Sequence, residues 1–165
     1  MYNDQMITDY LWIDDYSQIH ELVLSIKKPT RIAFDTEFER VNTYYPKPAL
    51  FQLMINEKLV IIDMKQIKDF DFIDTLLDNI IVHSGSEDFE LLFNLSNKTP
   101  STIHDTQIAA SLCGYGLHFS YQNIVKEVLG VKLDKAHSRS DWMKRPLSKE
   151  PVSYTHLTLP TTPYV

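Results

Sequence analysis

Arg31-Ile32-Ala33-Phe34-Asp35-Thr36-Glu37-Phe38 reads as a strand whose apolar pattern is interrupted by two acids. Side chains alternate faces along a strand, so Asp35 and Glu37 share one face while Phe34 and Phe38 take the other. The two acids then stand roughly 7 Å apart at their Cα atoms on one rigid element. Ionised carboxylates that close repel one another and lose hydration, which is costly if they are buried uncompensated. A divalent metal is the usual compensation, and Mg²⁺ or Mn²⁺ prefers such hard oxygen ligands. The competing reading is an edge strand whose acids face water.

Before this strand, Tyr10 to Ile13 is expected as a short first strand, followed by a helix capped by Asp14 or Asp15. The apolar positions Ile19, Leu22, Val23 and Ile26 carry that helix, and Pro29 closes it. After the acidic strand comes a loop with Tyr44, Tyr45, Pro46 and Pro48. Ala49 to Ile55 and Leu59 to Asp63 then read as an antiparallel hairpin turning at Asn56, Glu57 and Lys58. Three early strands in succession argue for a mixed sheet.

Phe72 to Leu77 predicts a helix and Ile80 to His83 a short buried strand. Ser84-Gly85-Ser86-Glu87 fits a capping box with Ser84 as N-cap, so a strand runs into a helix whose first turn carries Asp88. An acid there is favoured by the helix dipole alone. Thr102 to His104 is a further strand, and Asp105 is read as the N-cap of a helix over Thr106 to Leu112. Ser120 and Gly130 bracket a last helix, Tyr121 to Leu129.

At 165 residues, with 44% hydrophobic and 23% charged residues, the chain suits a single globular domain with a real core. No apolar run approaches the ~18 residues that span a bilayer, and the N-terminus lacks a signal-peptide pattern. A cytoplasmic protein without a membrane partner is the expectation, and no obligate protein partner is evident. Cys113 is the only cysteine, which excludes an intramolecular disulfide, and it is expected as a small buried residue on a helix. The net charge of -6 argues against a broad basic surface for nucleic acid. Acids that bind cations nevertheless reverse their local sign once loaded.

Five motifs then occur in one order: Phe34-Asp35-Thr36-Glu37-Phe38, Tyr44-Tyr45-Pro46, His83-Ser84-Gly85-Ser86-Glu87-Asp88, Asp105-Thr106-Gln107, and Ser140-Asp141-Trp142 through Arg145-Pro146-Leu147. Together they closely resemble the exonuclease domain of bacterial ribonuclease D, in the DEDD superfamily of 3′-to-5′ exonucleases, over about residues 8 to 150. The resemblance implies an α/β, RNase H-like fold, a mixed β-sheet flanked by α-helices. It further implies hydrolysis of nucleotides from RNA 3′ ends, of the tRNA-precursor processing type, with two divalent ions, Mg²⁺ or Mn²⁺. Asp35 and Glu37 match the first exonuclease motif and Asp88 the metal-ligand acid of the second.

The third motif departs from the family. A tyrosine and, four residues on, an aspartate are expected after the Arg-Pro-Leu stretch; Tyr154 falls at the first position, but the neutral Thr158 stands at the second. Residues 151–165 are rich in Pro and Thr and contain no acid, and Val152 to Leu157 is also what one frame of a common transposon sequencing adapter encodes. The domain is therefore expected over residues 1–150, C-terminally incomplete, with 151–165 a non-native tail and with little activity in this form. Tyr154 is kept as a candidate catalytic residue on its register.

Other candidates are substrate contacts. Tyr44 and Tyr45 are placed to stack a terminal base or to pack over the sheet edge. His83 and His104 read as supporting or substrate-contacting groups, or as partly buried structural histidines. Arg139 and Arg145, with Lys135, are candidates for phosphate contacts. Trp142 is read as a core anchor, and Gln52 as a support for the acids. The alternatives to the exoribonuclease reading are a non-catalytic nucleic-acid-binding module and a related 3′-to-5′ DNA exonuclease, because sugar preference rests on 2′-hydroxyl contacts that a sequence does not display.

Overall fold

A computed structural model describes residues 10–27, 30–41, 43–133 and 141–147. The expectations for Arg139, Lys135, Tyr154, Thr158 and the 151–165 tail lie outside the described residues. Along the chain run β1 (Tyr10–Ile13), α1 (Tyr16–Ser25), β2 (Ile32–Glu39), β3 (Lys47–Ile55), β4 (Lys58–Asp63) and α2 (Phe72–Leu76). They are followed by β5 (Asn79–Val82), α3 (Ser86–Ser96), β6 (Thr102–Asp105), α4 (Thr106–Leu112) and α5 (Tyr121–Leu129). The strands form one sheet in the order β1-β4-β3-β2-β5-β6. β2, β3 and β4 pair antiparallel, while β1 on β4, and β5 on β2 and β6, pair parallel. The sheet is mixed, as expected.

β2 lies inside the sheet, between β3 and β5, so the edge-strand reading of Asp35 and Glu37 fails. Its alternation is real: Ile32 and Phe34 enter the larger apolar cluster, under α1 and α3, whereas Ala33 enters a smaller cluster on the opposite face. Asp35 and Glu37 continue the Ala33 face. The β3–β4 hairpin turns on Asn56 and Glu57, both with positive φ (48° and 64°), as a tight two-residue turn between right-twisted strands requires.

Two local expectations are corrected. Ser84 is not the N-cap of α3: it adopts φ 62°, Gly85 takes the cap position, and no side chain caps the helix. The Asp105 carboxylate receives the Ser84 and Gly85 N–H groups instead, each at 3.1 Å, while capping α4 through Gln107 N (2.8 Å) and Ile108 N (3.4 Å). Cys113 ends α4 and is exposed, not buried. Among the described residues no helix is long and apolar enough to cross a membrane.

Candidate active site

The site forms where β2 and β5 part. β5 pairs with β2 only at Ile32 and Ala33, so farther along β2 the backbone on that side has no strand partner. Asp88, in the first turn of α3, fills the gap: its Oδ1 accepts the Thr36 N–H at 3.1 Å and also the Thr36 hydroxyl. Thr36 and Asp88 are both buried. Gly85 lets the chain turn tightly from β5 into α3, since a Cβ there would stand 2.8 Å from Val82 Cγ2 and 2.9 Å from the Phe89 ring. Arg40 ties the end of β2 to α3 by a two-pronged contact with Glu90 (2.7 and 3.0 Å).

On the opposite side of β2, Gln52 stands in register with Asp35 and is fully buried. Its Nε2 donates to Glu37 Oε1 at 3.1 Å, and the Trp142 side chain favours the charged form of this carboxyl. A register shift after Glu37 marks a β-bulge, a common device for re-aiming side chains beside a site. Burial pushes the Glu37 carboxyl up to about 9, the Asp35 charge adds to this, and Asp88 adds further; the Gln52 bond and the Trp142 side chain oppose it. Burial likewise raises Asp88 against the pull of its Thr36 bonds. A cluster in which burial and neighbouring acids keep one carboxyl protonated at neutral pH is one that a cation would relieve.

Sequence reasoning passed over three contributors: Thr36, Arg40 and Tyr121. Burial, then the nearby Asp35 charge, raises the Tyr121 phenol, so it stays protonated beside the site. The His83 ring meets Tyr121 edge-on at 5.4 Å, and its Nδ1 lies 2.9 Å from the Thr106 hydroxyl. Thr106 donates to the Val82 carbonyl, which leaves Nδ1 as the donor to the hydroxyl. Burial lowers the His83 pKa, favouring the neutral ring. His104 is exposed. Tyr44 and Tyr45 are 84% and 59% exposed and touch edge to face, 4.8 Å between centroids, so they do not pack over the sheet edge.

Arg145 is corrected from phosphate contact to structural partner. Its five N–H donors are all engaged: Nε and Nη2 on Asp63 (2.6 and 2.7 Å), Nη2 also on the Ala49 carbonyl, and Nη1 on the Trp142 and Lys144 carbonyls. Trp142 is a core anchor as expected, 7% exposed in the smaller apolar cluster.

Comparison with known protein families matches residues 10–157 to the 3′-5′ exonuclease family. The chain belongs to that family. Among curated relatives, ribonuclease D of Escherichia coli (strain K12) is 38% identical over 156 residues, which is 92% of this chain and 40% of that protein. Ribonuclease D of Shewanella sp. (strain ANA-3) is 36% identical over 155 residues, with the same coverage. The crystal structure of E. coli RNase D, described as an exoribonuclease involved in structured RNA processing, superposes with a TM-score of 0.86 at 35% identity, covering 92% of this chain and 41% of that one. The catalytic core of RRP6 from Trypanosoma brucei shares the fold, with a TM-score of 0.80 at 24% identity. This exonuclease domain thus spans about two fifths of the length of its curated relatives, and its mixed sheet is the RNase H-like fold that the resemblance implies.

Members of the DEDD group generally use divalent metal ions. Among the described residues no three His, Cys, Asp or Glu side chains converge as placed to hold an ion. The donor chemistry nonetheless fits a hard cation: the candidates are carboxylates, two of them raised by burial, with Asp35 and Asp88 charges acting on Glu37.

Proposed function

We propose that this chain is the catalytic domain of a ribonuclease D-like 3′-to-5′ exoribonuclease of the cytoplasm, acting on the 3′ ends of structured RNA such as tRNA precursors. Asp35, Glu37 and Asp88 are its metal ligands, and Mg²⁺ or Mn²⁺ its ions. The observation that carries the reading is Glu37: a carboxyl inside the sheet, raised to about 9, beside Asp35 and within the field of Asp88, with an amide hydrogen bond and, among the described residues, no ion pair.

Bound ions would supply a charged template that activates water, stabilises the leaving 3′ oxygen and holds the phosphodiester in line. The chain's own residues prepare for that. β2 fixes the spacing of Asp35 and Glu37, Thr36 pins one oxygen of Asp88, and Gln52 orients Glu37. The exposed Tyr44–Tyr45 pair offers two ring faces on which a terminal base stacks.

The test is degradation of 5′-labelled and 3′-labelled single-stranded RNA with Mg²⁺, Mn²⁺ or EDTA, by this chain and by a version extended with its native C-terminus. Metal-dependent stepwise shortening from the 3′ end by the extended chain, abolished by Asp35→Asn with folding intact, supports the reading. Retained cleavage by a well-folded Asp35→Asn variant contradicts it. One observation favours a second reading, a non-catalytic RNA-binding module: Thr158 stands where the resemblance calls for an aspartate. RNA binding without cleavage by both chains would select it.

A further inference from the structure

The stretch 141–147 is left without a task by the reading of the acids as metal ligands, yet its seat is elaborately built. Glu37 pairs in register with Leu50, and Leu50 with Asp63, so Glu37 and Asp63 lie in one cross-strand row over β2, β3 and β4. Directly paired residues share a face, so both carboxylates project from the same side of the sheet. Asp63, 3% exposed, holds the Arg145 guanidinium by two parallel bonds of 2.6 and 2.7 Å. The same guanidinium grips the Trp142 carbonyl at 2.7 Å. Trp142 packs with Ala33, Leu50 and Ile61, and Leu50 is the in-register partner of Glu37, which puts the indole beside that carboxyl.

We propose that the Arg145–Asp63 ion pair is a positioning clamp, which fixes the turn at 141–147 so that the Trp142 indole holds Glu37 in the orientation its metal-binding role needs. The inference rests on the reading of Glu37 as a ligand. Arg145 and Asp63 touch neither substrate nor ion; they act through Trp142. A planar two-pronged fork suits the task because it sets direction as well as distance, which a lysine ammonium does not.

The test follows the Trp142 indole N–H signal in ¹⁵N-labelled protein, distinguished from that of Trp12 by a Trp12→Phe background. Glu37→Gln is expected to move this signal in the parent chain. In Arg145→Lys, which keeps a charge beside Asp63, the Glu37-dependent movement should fall to less than half. The neutral pair Asp63→Asn with Arg145→Gln should give the same result if the lysine variant folds poorly. Mn²⁺ titration is the second arm: Arg145→Lys and Trp142→Phe should each weaken binding by about 10- to 100-fold, with no further loss on combination. Undiminished Glu37-dependent movement in Arg145→Lys, or additive losses in the double variant, would overturn the clamp. Absence of Mn²⁺ binding by the parent chain would instead remove the metal reading, and the indole signal would still decide the clamp.

Discussion

Asp63 and Glu37 occupy one row of the same sheet, and the protein treats them in opposite ways. Asp63 is nearly inaccessible but completed internally: a guanidinium meets both of its oxygens, and the Lys65 N–H adds a third bond. Glu37 has the Gln52 amide, the Trp142 side chain beside it, two more acids in its field and, among the described residues, no ion pair. A buried acid matched by its own arginine is architecture, whereas a half-buried one with no ion pair among the described residues holds its proton and has capacity for an external ion. On the proposed reading, the difference separates the part of the fold that is finished from the part that takes up an ion.

The sharpest way to break the comparison is to unfinish the finished side. Arg145→Ala leaves the Asp63 carboxylate buried with only the Lys65 N–H and no counter-charge, and should lower stability by about 3–5 kcal/mol in urea unfolding. Next in size is a pH effect with the opposite origin. The folded Glu37 pKa of about 9 lies above its unfolded value, so the folded state holds the extra proton between roughly pH 4.5 and 9. This group's contribution is therefore intact below that window and is lost as pH rises through it. Urea titrations of the metal-free chain should show stability falling across this range, and Glu37→Gln should flatten the fall.

Thr36→Val removes one of the two bonds that hold Asp88 and should cost about 1–3 kcal/mol, read by thermal unfolding, while weakening Mn²⁺ binding. The smallest effect is expected at Arg40–Glu90, a two-pronged pair like Arg145–Asp63 but with side chains 37% and 39% exposed. Glu90→Gln should change stability by about 1 kcal/mol or less, because water already serves both partners there.

How much of this was legible follows from where each partner sits in the chain. The Asp35/Glu37 face could be read because alternation is local, and the hairpin and the caps at Asp15, Asp105 and Ser120 are set within a few residues. The Ser84 capping box failed because its donors went to Asp105, 20 residues or more away, a contact that exists only once β5 and β6 are side by side. Thr36 drew no notice because its task depends on β5 ending at Val82. Arg145 was assigned to phosphate since a basic residue near a nuclease motif invites that reading, and its true partner lies 82 residues earlier. Tyr121 was seen as a helix start, and only the packed fold brings its phenol into the field of Asp35.

The most direct measurement of the central claim is calorimetric titration of the chain with Mn²⁺ at pH 7.5, in two buffers of different ionisation enthalpy. If the carboxylate cluster is short of a cation, Mn²⁺ binds, Asp35→Asn abolishes binding, and the buffer dependence reports a proton released as Glu37 takes up its ligand role. Absence of binding, or binding that releases no proton and survives Asp35→Asn, would contradict the account.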